Sequence, residues 1–153
     1  MNQTQLKKII KRLSAHYYTS IAILAILFIL ILLKVVRLSG NPEFVTQTME
    51  LYAIGITLIA IPASLKGFAY LIRKEKRQDS DAIIRNYKKA FFIRLYVLFI
   101  ITLMNEIFFS ISRNMNFFWL ALILFFAFLF CSPSLSELME LHPQKVKNEN
   151  KKV

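Results

Sequence analysis

The chain has 153 residues, is 56% apolar and 19% charged, and carries 20 Lys and Arg against 9 Asp and Glu, a formal charge of +11. A soluble domain is about half apolar and about a quarter charged; this chain has a mean hydropathy of +0.49, and its apolar residues are gathered in long blocks. Very apolar and very basic together exclude an ordinary soluble enzyme and an acidic disordered tail, and leave a membrane protein with basic water-exposed flanks.

Residues 1–16 form a basic N-terminal segment. Leu6, Ile9, Ile10 and Leu13 recur at i, i+3, i+4 and i+7, with Lys7, Lys8, Lys11 and Arg12 opposite them. That spacing predicts an amphipathic helix lying in an anionic leaflet before the chain turns into the membrane. It reads as a topology anchor or as a surface for lipid sensing or partner docking. The first span, 17–37, has an uninterrupted apolar core from Ile21 to Leu33. The core exceeds a signal-peptide h-region, no small-residue cleavage pattern follows, and Lys34 and Arg37 close it, so it reads as a retained helix.

An outer loop at 38–50 leads to the second span, 51–72, which Thr57, Pro62, Ser64 and Lys66 make less apolar. Starting from Glu50, the residues Ala53, Thr57, Ala60, Ser64 and Gly67 recur in alternating steps of three and four. Small residues at that spacing let helix backbones approach, so this stripe is the expected helix-packing seam, with Glu50 turned inward at its top. Pro62 removes a backbone donor and predicts a kink near mid-membrane.

The segment 73–89 is basic. Asp79, Ser80 and Asp81 supply an N-terminal cap for a helix whose apolar positions Ile83, Ile84, Tyr87 and Phe91 continue without a break into the third span, 90–111. A short outer turn at 112–116 leads to the fourth span, 117–131, which has no polar residue from Phe117 to Phe130 and is expected to face lipid broadly. The tail 132–153 opens at Pro133. There Ser134 and Glu137 fit a capping box, and Leu135, Leu138 and Met139 a short surface helix ending at Pro143, before a polar, disordered stretch from Gln144. Each span has the length of a membrane helix, and nothing alternates with period two, which excludes a barrel. The expected fold is all-α, an antiparallel bundle of four transmembrane helices.

The cations indicate how the chain is threaded. Lys7, Lys8, Lys11 and Arg12 precede the first span. Lys66, Arg73, Lys74, Lys76, Arg77, Arg85, Lys88, Lys89 and Arg94 lie around the junction of the second and third, and Lys145, Lys147, Lys151 and Lys152 follow the fourth. Only Lys34, Arg37 and Arg113 fall on the other side. Cytoplasmic segments carry the Lys and Arg excess, so both termini are expected in the cytoplasm of a multi-pass protein of the cell inner membrane. Tyr17, Tyr18 and Tyr70 at inner boundaries, and Tyr52, Phe117 and Trp119 at outer ones, fit the aromatic belts of such a protein. The positive charge then reports orientation and contact with anionic inner-leaflet lipids, and no nucleic-acid partner is expected.

Enzymatic chemistry has little to build on. Cys131 is the single cysteine, which excludes an internal disulfide framework and a Cys-based zinc cluster, and His16 and His142 stand at opposite ends of the chain. Gly40, Gly55 and Gly67 assemble no phosphate loop. No enzyme activity and no cofactor are expected. Cys131, at the inner interface, reads as a small apolar residue or, in principle, a palmitoyl acceptor.

Ionisable groups inside the bilayer are costly and mark function or pairing. Lys34 and Glu106 lie at similar depth, each about sixteen residues along its span from the inner boundary. Glu50, Asn105 and Arg113 complete an outer-side polar cluster with them, with Arg37 just beyond. Two readings stay open. Glu106 and Glu50 form a protonatable or cation-binding site with Pro62 as a hinge, or they are interfacial charges neutralised by Lys34 or Arg113. Lys66 and Arg94, near the inner edge, are expected to snorkel.

The runs Tyr52-Ala-Ile-Gly-Ile-Thr-Leu-Ile-Ala-Ile-Pro-Ala-Ser-Leu-Lys66 and Asn86-Tyr-Lys-Lys-Ala-Phe-Phe-Ile-Arg94, with Asn114-Met-Asn-Phe117 and Phe130-Cys-Ser-Pro133, resemble small four-helix membrane proteins of bacteria that have no assigned activity. The resemblance spans residues 45–135; it implies the topology and a bacterial origin and carries over no catalytic residue. The expected role is that of a non-enzymatic structural or accessory interaction protein, with a second copy or another membrane protein as partner. The alternative is a small proton- or cation-coupled transporter or channel subunit using Glu106 and Glu50.

Overall fold

The computed structural model describes residues 3–36, 45–73 and 80–134, and all regular structure among them is helical. Helix α1 spans Gln3–Leu32, α2 Gln47–Arg73, α3 Ser80–Ser112 and α4 Met115–Leu129. The first three are long and apolar enough to cross a membrane; α4, at 15 residues, is apolar but shorter. Arg37, the loop at 38–44, the cations from Lys74 to Arg77, Asp79, the short helix expected after Ser134 and the tail from Gln144 lie outside the described residues.

Helix α1 corrects one expectation. The amphipathic segment does not turn before the first span; it is the first part of the same 30-residue helix. No proline or glycine interrupts residues 3–32, and the segment's apolar face has a protein partner. Leu6 and Leu13 are buried in one cluster with Ile84, Tyr87 and Phe91 of α3, and Ile9 and Ile10 pack against it. Because α3 begins at Ser80, well ahead of its own apolar span, the two helices run together where α1 was expected to meet lipid.

Helix α3 packs against each of the other three helices, and α2 also meets α4. The reason is visible on α3, where Leu95, Leu98, Thr102, Asn105, Glu106, Phe109 and Ser110 are all buried, a band wider than one seam. On α2 the buried positions are Ala53, Thr57, Ala60, Ser64 and Phe68, with Glu50 and Gly67 half-buried. A methyl group on Gly67 would meet nothing within 4 Å, so close backbone approach does not depend on that glycine. The helix passes through Pro62 without a break, and the Ser64 hydroxyl donates to the Ile61 carbonyl at 2.8 Å.

Helix α4 corrects a second expectation. Phe117, Leu120, Ala121, Leu124, Ala127 and Phe128 are buried at helical spacing, so one full face is core while Trp119, Ile123, Phe126 and Leu129 point outward. A helix apolar all round has no hydropathy contrast from which its inner face could be read. Two apolar clusters result. One joins Tyr17, Phe68, Phe91, Leu98, Phe128 and Cys131; the other joins Ile31, Ala53, Phe109, Phe117 and Leu120.

The ends of α1 and α3 are closed by left-handed residues. Lys34 sits at φ 60°, and the amides of Lys34 and Val35 reach back to the carbonyls of Ile31 and Leu30 at 3.1 and 3.0 Å, a Schellman cap. Arg113 sits at φ 53° with its amide on the Phe109 carbonyl at 2.9 Å, the simpler left-handed cap. Asn114 then starts α4 at once, its side-chain oxygen accepting from the Asn116 amide at 3.0 Å.

Candidate functional site

The residues expected to form one outer-side cluster fall into separate groups. Glu50 accepts from the side-chain amide of Asn114 at 2.6 Å and from that of Asn116, tying the start of α2 to the start of α4. Arg113 donates to the Ile31 carbonyl at 2.9 Å, with its guanidinium over the Phe109 ring at 5.6 Å, tying the α3–α4 turn to the end of α1. That carbonyl also receives the Lys34 amide, so the α1 cap and the turn share one oxygen. Lys34 itself is exposed, beyond the last helical residue. Neither Lys34 nor Arg113 hydrogen-bonds to Glu106.

At the opposite end, Arg94 departs from the expectation that it snorkels. It is 6% exposed, donates to the Cys131 carbonyl at 2.8 Å, and stacks over the Phe68 ring at 4.0 Å from the centroid. Tyr17 donates to the Phe128 carbonyl at 2.8 Å beside it. The physical reason lies at the end of α4: its C-terminus is the negative end of the helix dipole, the Phe128 carbonyl accepts from both the Cys131 amide and the Tyr17 phenol, and the cation meets the Cys131 carbonyl just beyond the helix. The guanidinium also faces the Phe68 ring, while its buried Nε has no hydrogen-bond partner. Lys66 is exposed, and Cys131 is 1% exposed within the apolar cluster, which suits the small-apolar reading of that thiol.

Between these two ends lies a polar layer made by α2 and α3. Thr57, Thr102, Asn105 and Ser110 are buried, and Glu106 is 0% exposed. The Asn105 amide nitrogen donates to the Thr57 hydroxyl at 3.1 Å and to the Ile101 carbonyl at 2.9 Å, and Thr102 donates to the Leu98 carbonyl at 2.8 Å. Both carboxylate oxygens of Glu106 and the side-chain oxygen of Asn105 have no hydrogen-bond partner. A carboxylate out of water without a donor or a cation is among the most costly placements a side chain can take. These oxygens lie on the α3 residues Asn105 and Glu106, toward the Ser112 end of that helix.

Sequence reading singled out Glu106 and Asn105 but passed over Thr102 and Ser110. The signal was there: 102, 106 and 110 are spaced by four, and with 105 they make one polar stripe on the apolar stretch of α3 from Leu95 to Ile111. Among the described residues no three His, Cys, Asp or Glu side chains converge. A ligand at Glu106 would therefore meet a single carboxylate among the described residues, which suits a proton or a cation of low charge better than a metal needing several acidic ligands. No family model, no curated protein and no solved structure matches this chain.

Proposed function

We propose that the chain is an integral membrane protein that binds a proton or a small cation at Glu106, as a small coupled transporter or channel subunit. It crosses the inner membrane of a bacterium four times as an antiparallel bundle, with both termini cytoplasmic and without enzymatic chemistry. The observation that carries the reading is the fully buried Glu106 carboxylate with both oxygens unpartnered. Had Lys34 or Arg113 closed on it, the charge-pairing reading would be preferred; both are engaged or exposed elsewhere.

The two polar ends support four spans. At ~1.5 Å per residue, α3 rises about 28 Å from Arg94 to Arg113, close to the hydrocarbon thickness of roughly 30 Å. Helix α4 runs between the same two ends, with Asn114 and Asn116 held by Glu50 and Cys131 held by Arg94, so its short length suffices where the bilayer thins slightly. Four narrow helices enclose little volume, so a second copy or a membrane partner completes any pathway.

A structural or accessory role is the second reading. It is favoured by the many polar side chains spent on joining helices: Tyr17, Glu50, Arg94 and Arg113 each bridge two elements. Reconstitution separates the two. Liposomes carrying the protein should show proton or alkali-cation flux above protein-free liposomes, and Glu106→Gln should lower it at least tenfold. Flux equal in both preparations, or unaltered by Glu106→Gln, would sink the transport reading and leave the structural one.

A further inference from the structure

The α1–α3 junction carries a groove that the reading above does not use. It has a volume of about 480 Å³ and opens to the surface. Lys8 and Arg12 from α1 and Lys88 from α3 line it, and its floor is Ile9, Leu13 and Phe92. None of its lining residues is acidic. Lys8, Arg12 and His16 follow one another at i+4 on α1, and Lys88 and Phe92 do so on α3, so each wall is one face of a helix. The His16 ring meets the Phe92 ring edge-on at 5.6 Å, which fixes the register of the two walls.

The order of chemistry along the two helices is directional. In the groove the cations come first on both helices, then the His16–Phe92 pair; beyond its lining, Tyr96 stacks on Phe92 at 6.0 Å and is exposed, with the exposed Ile100 one turn further along α3. A polar, cationic mouth therefore passes into an outward-facing apolar track, on the side from which both helices enter the apolar part of the molecule. That gradient matches an amphiphile with a negative head and a long apolar tail.

We propose that this groove is a binding site for an anionic phospholipid, its phosphate held by Lys8, Arg12 and Lys88 and an acyl chain laid along Phe92 and Tyr96. The proposal rests on the membrane reading but is independent of Glu106. It also gives the unbroken α1 a purpose: with its apolar face already spent on α3, the helix holds Lys8 and Arg12 in a fixed frame, where a helix lying loose on the leaflet would give only diffuse attraction.

The protein, inserted in phosphatidylcholine nanodiscs, is titrated with short-chain phosphatidylglycerol, short-chain phosphatidylcholine and soluble glycerol phosphate, and bound lipid is counted by native mass spectrometry. Phosphatidylglycerol should bind about tenfold or more tighter than either competitor. The triple variant Lys8→Gln, Arg12→Gln, Lys88→Gln should lose that preference. A second triple variant, Lys7→Gln, Lys11→Gln, Lys89→Gln, removes the same charge from exposed positions outside the groove and should keep it. Equal losses in the two variants would overturn the site in favour of diffuse attraction, and equal binding of glycerol phosphate would overturn the lipid as its occupant. A chain that alkaline carbonate extracts from membranes would overturn the membrane reading and the lipid site together, whereas an inserted chain without lipid preference would overturn the site alone.

Discussion

Lys34 shows what a single backbone angle costs and how it can be checked. A side chain with a Cβ in the left-handed region loses about 1 kcal/mol or more against a glycine, although glycine gives some of that back through the entropy of the unfolded chain. The Lys34 side chain is exposed, and the cap is made by backbone amides alone. Lys34→Gly is therefore expected to stabilise the protein by up to about 1 kcal/mol, read as a higher midpoint of thermal unfolding in detergent; a lower midpoint would mean that the lysine side chain contributes to the cap. Arg113 has the same backbone strain but a guanidinium committed to Ile31, so glycine there should destabilise instead. Both residues could be recognised in the sequence as cations near a membrane edge. Their caps could not, because nothing in a lysine or an arginine announces φ > 0. The oddity of Glu106 was likewise plain from its neighbours in the chain, whereas its lack of partners required knowing where Lys34 and Arg113 go.

At the scale of elements, helix α4 depends on its neighbours at both ends. Arg94 is the central contact, since it joins α3 to the α4 terminus and to Phe68 of α2 at once. Arg94→Ala leaves a cavity and an unpartnered Cys131 carbonyl, and should cost about 2–4 kcal/mol in detergent unfolding. Arg94→Met should recover the packing share of that loss but not the share from the carbonyl. Equal stability of Arg94→Ala and the wild type would mean that the guanidinium makes no net contribution. That α3 begins ahead of its apolar span was legible, because Ser80 can cap a helix whose apolar positions continue without a break; α2 begins at Gln47, inside the stretch expected to be an outer loop. The inner face of α4 and the true length of α1 were not legible. The first lacks any polar contrast, and the second turns on whether lipid or α3 covers Leu6 and Leu13, which is a tertiary choice.

For the whole molecule, the threading is the claim most open to direct test. In a Cys131→Ala background, Thr48→Cys stands at the exposed start of α2 and Arg85→Cys on an exposed position of α3. An impermeant thiol reagent added to intact cells should label residue 48 and spare residue 85 until the membrane is opened. Labelling of residue 85 from outside would reverse the orientation inferred from the cations.

The amino-acid order alone was sufficient to establish an all-helical chain with helices long and apolar enough to span a membrane, and to collect most cations in three stretches. Hydropathy and charge are properties of each residue, and they add along the chain without knowledge of its neighbours in space. Packing decided everything that depends on pairs. It sent Arg94 inward to α4, spent Arg113 on a backbone carbonyl, gave Glu50 two amides in place of a cation, and left Glu106 alone among them. A polar group in an apolar interior is defined by the partner it finds, and for Tyr17, Glu50, Arg94 and Arg113 that partner belongs to another element of the fold.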